Sequence, residues 1–136
     1  MNTNYFKNVI MGNLFQTSTG TALPTTYYIG LSSTTPTASG TNVTEPSTSG
    51  TGYARKQLTS LSTPSNGVIQ NSSAISFPES TATWFSASSP ATYYVIYDSL
   101  TGGNLLMYNE LTAPRIIEVN TVATIKANSL YLQLTD

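Results

Sequence analysis

Acid–base chemistry in this chain would have to rest on eleven charged side chains and nine tyrosines. The 136 residues include six carboxylates, at Glu45, Glu79, Asp98, Glu110, Glu118 and Asp136, and five cations, at Lys7, Arg55, Lys56, Arg115 and Lys126. There is no histidine and no cysteine. Thiol nucleophiles, zinc–thiolate sites, iron–sulfur clusters and disulfides are thereby excluded, and the commonest general base and metal ligand is missing. A Ser–Lys pair is chemically conceivable. Serine and threonine are so abundant, however, that some hydroxyl must lie near a lysine by chance, and no G-x-S-x-G turn occurs. The carboxylates are scattered rather than paired, as a glycosidase would need. Asp98 precedes Ser99-Leu100-Thr101-Gly102-Gly103 and reads as a turn cap acting through its side chain. A calcium loop needs several acidic oxygens at close spacing, and Asp98 stands alone. The expectation is a non-enzyme with no cofactor and no metal.

Charge argues the same way. Charged residues make up 8% of the chain and the net charge is −1, so no basic footprint for nucleic acid exists. Arg55-Lys56 is the one basic pair, and on a strand its members face opposite sides. Trp84, Phe85 and the tyrosines read first as core or subunit-interface residues. A sugar-stacking platform is the alternative for them. The apolar runs are too short to cross a membrane. Met1-Asn2-Thr3-Asn4-Tyr5-Phe6-Lys7 has none of the layout of an export signal, so synthesis in the cytosol is expected.

The elements that must carry these residues are mostly strands. Thr, Tyr, Val and Ile favour extended chain. Strands are expected at 27–31, 53–61, 74–77, 82–85, 92–98, 105–108, 115–119, 122–126 and 130–134, and 68–71 resumes extended chain after a turn. Pro64-Ser65-Asn66-Gly67, Thr101-Gly102-Gly103-Asn104, Asn120-Thr121 and Asn128-Ser129 supply turns, and Pro114 separates two strands. Residues 92–98 are bulky throughout, as a buried central strand should be. Short strands at turn spacings of this kind predict an all-β fold, an antiparallel β-sandwich (jelly-roll-like) of about eight or nine strands, as a single domain over 1–136. Tyr94, Ile96, Leu106, Ile117, Ile125, Leu132 and Leu134 are the expected core.

Two segments depart from that pattern. Tyr5, Phe6, Val9, Ile10, Leu14 and Phe15 recur at helical spacing, which predicts a helix or arm over 1–15. Asn2 or Thr3 would cap it, and Gly12 or Gly20 would help end it. A helix this short needs a surface for its apolar stripe, either the chain's own sheet or a neighbouring subunit. Residues 32–52 are rich in Ser, Thr, Gly and Pro and predict a long exposed loop. Loops of that length within a compact domain are commonly functional. Tyr5, Phe6, Val9, Ile10, Glu45, Tyr53 and Arg55 are the candidate interface residues.

One series of short motifs carries more than fold. Tyr28-Ile29-Gly30-Leu31-Ser32 is followed by a Thr-Pro-rich stretch with Glu45, then Gly52-Tyr53-Ala54-Arg55. Ile75-Ser76-Phe77-Pro78, Trp84, Ile96-Tyr97-Asp98, Gly102-Gly103-Asn104-Leu105-Leu106 and Leu130-Tyr131-Leu132 come after. In order and spacing this series resembles the small structural proteins of tailed bacteriophages and prophages, described as head decoration, head-fibre or tail-fibre-like. Val119-Asn120-Thr121 stands where the family pattern often has a Gly-Asp turn. The resemblance implies a virion component without enzyme activity or cofactor. It leaves two placements open: a capsid decoration, cement or head-fibre protein on the outer surface, or a tail-tip or tail-fibre component that binds a host-surface glycan. The expected partners are further copies of the chain, as a homo-oligomer with a trimer as the expected state, and the major capsid protein or other virion proteins. Neither nucleic acid nor membrane is among them.

Overall fold

The bulkiest run of the sequence does become the central strand. In the computed structural model, which describes residues 1–17 and 21–134, it forms β5 (Ala91–Tyr97). β1 (Tyr28–Ser32) pairs antiparallel along one side, with Ile29 opposite Ile96. β6 (Leu105–Arg115) pairs antiparallel along the other, with Tyr108 opposite Val95. β2 (Lys56–Gln57) completes a four-stranded sheet of order β2-β1-β5-β6. Alternate side chains of β5 leave on opposite faces. Tyr94 and Ile96 enter the larger core with Ile29, Leu31, Ile75, Phe77, Trp84, Phe85, Ile117 and Leu130. Val95 and Tyr97 enter a second cluster with Leu105 and Tyr108. Both faces are covered, which is why β5 lacks a polar side.

Two small ribbons complete the strand set. β3 (Val68–Gln70) pairs with β8 (Tyr131–Gln133), and β4 (Ile75–Ser76) pairs with β7 (Thr124–Ile125), both antiparallel. The chain is thus a mostly-β, antiparallel structure with one short helix, as expected. Its strands are distributed over three separate sheets, and these are not closed into the sandwich predicted from strand spacing.

Turn chemistry follows the sequence closely. Asn66 and Gly67 both take positive φ, 53° and 76°, between reciprocal Ser65–Val68 backbone hydrogen bonds. That is the two-residue hairpin turn Asn-Gly favours. Asn120 and Asn128 also adopt the left-handed conformation, which asparagine tolerates better than most residues.

Several expectations need correction. The strand expected over 53–61 is regular only at Lys56–Gln57, with an isolated bridge from Leu61 to Asn71. Residues 82–85 and 115–119 meet in a single bridge, Phe85 to Ile117, rather than as full strands. Pro114 does not separate strands, since β6 runs through it to Arg115. β6 is a sheet edge, where a missing N–H is tolerated. Of the expected core, Tyr94, Ile96, Leu106 and Ile117 are buried. Ile125 and Leu132 are half-buried, and Leu134 is exposed. Leu130 instead is the buried leucine of that stretch.

The helix α1 spans Asn4–Leu14. Thr3 caps it by accepting from the Phe6 N–H at 3.3 Å. Gly12 lies inside it and Phe15 is its C-cap; Gly20 lies outside the described residues. The three residues before the helix hold it to the sheet. Asn2 bridges Met107 on the outer edge of β6, the Thr3 N–H donates to the Leu106 carbonyl at 2.9 Å, and the Thr3 hydroxyl donates to the Leu105 carbonyl at 2.6 Å.

Candidate functional site

Two sites gather the residues singled out above, and they differ in kind. The first is polar. Glu45, midway along the 32–52 segment, accepts from the Tyr53 hydroxyl at 2.6 Å and from Arg55 Nη2 at 2.8 Å. Arg55 Nη1 donates to the carbonyls of Ser99 and Gly102, at 2.9 and 2.8 Å. Its guanidinium lies 3.6 Å from the Tyr97 ring centroid, in cation–π contact. The Tyr53 hydroxyl also accepts from the Leu31 N–H at 3.1 Å. One ion pair therefore ties three segments together: the long loop, β1 and the turn between β5 and β6. Gly30 makes room for it, because a Cβ there would collide with the Glu45 carboxylate and stand 2.8 Å from the Tyr53 hydroxyl.

These groups are held inside the chain. The Arg55 and Glu45 side chains are only 8% and 17% exposed. Burial pushes the Tyr53 hydroxyl well above the usual tyrosine range, the adjacent Glu45 carboxylate adds to the shift, and Arg55 opposes it. Tyr97 is raised for the same first cause, burial. The loop itself folds back onto the sheet. Val43 packs on the second apolar cluster, and the Ser33 N–H donates to the Thr44 carbonyl at 3.0 Å. The Asn4 N–H donates to the Ala38 carbonyl at 2.8 Å, joining loop to helix.

Other chemical candidates also have structural partners. Asp98 accepts from the Asn104 N–H at 2.7 Å and from its side-chain amide at 3.1 Å, closing the β5–β6 turn. Trp84 is buried, stands edge-on to Tyr53 with centroids 5.1 Å apart, and donates from Nε1 to the Thr51 carbonyl at 2.7 Å. With Phe85 also buried, neither ring offers a face for stacking a sugar. Among the described residues, no three of His, Cys, Asp and Glu come together in a way that could hold a metal ion.

The second site is apolar and open. Phe6, Ile10 and Leu14 of α1 form one wall of a groove of about 600 Å³, and Ile69, Leu132 and Leu134 line it from the β3–β8 side. Its floor reaches Ile96 and Leu106 in the core, and no charged side chain lines it. The helix packs only Val9 fully against the chain. Leu14 and Phe15 are 67% and 63% exposed, and Leu134 is 64% exposed. Exposed apolar surface concentrated at one place makes the groove a candidate interaction site.

Of the seven candidate interface residues, Phe6 and Ile10 face this groove. Tyr5 sits partly exposed on the helix and Val9 is buried under it. Glu45, Tyr53 and Arg55 belong to the polar cluster instead. Sequence reading missed Leu23, Ile69 and Leu134 as groove residues. The available signal was the Leu130/Leu132/Leu134 alternation running beyond the three residues that β8 pairs.

The sequence model of a family described as podophage GP4 fiber I protein gp80 matches residues 1–133. No curated protein matches the chain.

Proposed function

The chain belongs to the podophage GP4 fiber I protein gp80 family, and from that premise we propose that it is a non-enzymatic component of a fibre on the outer surface of a tailed-phage virion, attached to the head. The family match over residues 1–133 carries the fibre part of this reading. It acts as a homo-oligomer, with a trimer as the expected state, and meets the major capsid protein or a neighbouring virion protein. The described residues contain no helix long and apolar enough to cross a membrane. The α1 groove supports a role in attachment, because it leaves apolar side chains uncovered in a lone subunit. Multiple copies would let a weak contact per subunit hold firmly. In this reading the three open sheets stack in sandwich fashion, the ribbons β3–β8 and β4–β7 covering the Ile29/Ile96 face of the large sheet.

Tail-tip placement with glycan binding is the competing reading, and the burial of Trp84 and Phe85 weighs against those two as its platform. The experiment is electron microscopy of intact particles labelled with antibody to the chain, beside particles lacking it. Label on the head surface is the expected result. Label at the tail tip moves the protein to the competing placement, and unlabelled particles overturn the virion reading.

A further inference from the structure

We propose that Asn66-Gly67 is a site of spontaneous covalent modification, where the Asn66 side-chain amide closes on the Gly67 nitrogen to a cyclic imide and opens in water to a carboxylate at the rim of the α1 groove. The chemistry is the same wherever the chain sits on the virion.

It follows first from the residue types. Asparagine is among the thermolabile side chains. Its amide carbon lies near the backbone nitrogen of the next residue, and a successor without Cβ leaves that approach most open. Asn66 is the one asparagine followed by glycine. In the reaction the Gly67 nitrogen loses its proton to water or hydroxide and bonds to Asn66 Cγ. The Cγ–Nδ2 bond breaks and ammonia leaves. Water then opens the five-membered imide at either carbonyl. One opening gives aspartate. The other gives isoaspartate, with the main chain routed through Cγ.

The fold frees this pair. Asn66 and Gly67 are exposed, and beyond the chain neighbours nothing lies within 4 Å of where a Gly67 Cβ would stand. Among the described residues, nothing accepts a hydrogen bond from the Gly67 N–H or the Asn66 amide. The turn is closed by the Ser65–Val68 bonds outside the pair, at 2.9 and 3.0 Å. Both central φ values are positive, so the turn is type I′. Flipping its central peptide gives type II′, with ψ at Asn66 of about −120°. The outer bonds survive that flip, and the Gly67 nitrogen swings round to the side-chain amide carbon. Glycine is the usual residue at that position of a type II′ turn. With asparagine there the flipped turn is a minor state, and the reaction is slow.

The same fold restrains the competitors. Asn2, Asn71, Asn120 and Asn128 are the other asparagines with a small successor, serine or threonine. In each case the attacking nitrogen is already a donor. The Thr3 N–H donates to the Leu106 carbonyl at 2.9 Å, and the Ser72 N–H to the Ser60 carbonyl at 2.8 Å. The Thr121 N–H donates to the Ser80 hydroxyl at 2.9 Å, and the Ser129 N–H to Asn71 Oδ1 at 3.1 Å.

The product changes two things. Pro64 and Gly67 line the groove, where no charged side chain stands, so a negative charge appears at its rim. Isoaspartate also adds a methylene to a two-residue turn, and turn length sets the register of the flanking strands.

The test incubates the full-length folded chain in mildly alkaline buffer, beside the same chain in urea, for the time in which the unfolded chain converts half of its Asn66. Proteolytic peptides are then read by mass spectrometry for replacement of NH₂ by OH. Expected is conversion at Asn66 of the folded chain several-fold above any other asparagine, with folding slowing Asn128 more than Asn66. Mildly acidic buffer should slow it, because the attacking nitrogen must lose its proton. Asn66→Gly keeps a Gly-Gly turn. It should melt as the parent does and lack the acidic species that anion exchange resolves from the aged parent. The isoaspartyl chain should melt below Asn66→Asp, which carries the same charge on an unaltered backbone. Asn66 left intact in the folded chain, or conversion at Asn128 to the same extent, overturns the site. Equal melts for the isoaspartyl chain and Asn66→Asp overturn the effect on the turn and leave the site standing.

Discussion

Glu45 looks in the sequence like an isolated acid in a polar loop, and in the fold it anchors that loop. Its carboxylate is held by Arg55 and Tyr53, and Arg55 in turn satisfies two turn carbonyls. Removing one partner of such a pair leaves the other partly buried and unpaired, which costs more than the intact pair contributes. The cluster also predicts a response to alkali. Burial raises the Tyr53 hydroxyl above its ordinary value of 10.0, with Glu45 adding to the shift. A raised pKa means the folded state keeps its proton where the unfolded state has lost it. The contribution is therefore complete below the unfolded-state value near 10 and drains away as the pH climbs above it toward the folded value. Tyr27, Tyr94 and Tyr97 are raised by burial as well and act in the same direction. Urea unfolding of the parent chain should show stability falling between about pH 9.5 and 11. Tyr53→Phe should lower stability at pH 7 through the lost hydrogen bonds to Glu45 and Leu31, yet flatten that alkaline decline. An unchanged alkaline slope in Tyr53→Phe would mean that the hydroxyl ionises freely in the folded chain.

At the scale of elements, what could be read from the sequence was whatever a local pattern dictates. The all-bulky run of β5, the Asn66-Gly67 turn, the Asp98 cap and the Thr3 cap all depend on residues within a few positions of one another. What escaped depended on distant partners. The 53–61 run has strand composition, but β1 offers it a partner only at Tyr28 and Ile29, so it is regular for two residues. Pro114 looked like a break because its place on a sheet edge is decided by β5. The helix was legible; the groove beside it was not, because its far wall comes from β3 and β8. The last leucines show the same limit. Leu130, Leu132 and Leu134 share one face by period two, but burial declines along them from 1% exposed at Leu130 to 64% at Leu134. Leu130→Ala should therefore cost about 2–5 kcal/mol, as truncations in a packed core do. Leu134→Ala should stay within about 0.5 kcal/mol in the isolated subunit, as for an exposed site. Chemical denaturation of the two variants checks both. A loss at Leu130 as small as that at Leu134 would show that the last strand sits one residue out of the described register, since a one-residue slip turns both leucines to the other face.

Taken whole, the molecule presents a surface of hydroxyls, amides and isolated apolar side chains with few charges. Eleven charged residues, five basic and six acidic, serve 136 positions, and one ion pair, Arg55 with Glu45, is turned inward. Long-range steering needs a field of one sign over a face, and a chain with net charge −1 has little to offer. The proposed self-association would then come from apolar contact and short hydrogen bonds. The groove along α1 is where the first of these is concentrated, because its lining is uncharged and its rim exposes Leu14 and Leu134. Salt screens charge pairs over a Debye length of about 10 Å at 0.1 M and about 3 Å at 1 M, and leaves apolar contact largely intact. Sedimentation equilibrium at 0.05, 0.2 and 1 M NaCl should accordingly give self-association constants that agree within a few-fold, with no weakening as salt rises. Leu14→Asp, which puts a charge on the groove wall, should weaken association at least tenfold at every salt concentration; for comparison, about 1.4 kcal/mol corresponds to a factor of ten. A steep loss of parent-chain association between 0.05 and 0.2 M would instead point to the few surface charges, with Lys7 on α1 as the first to replace.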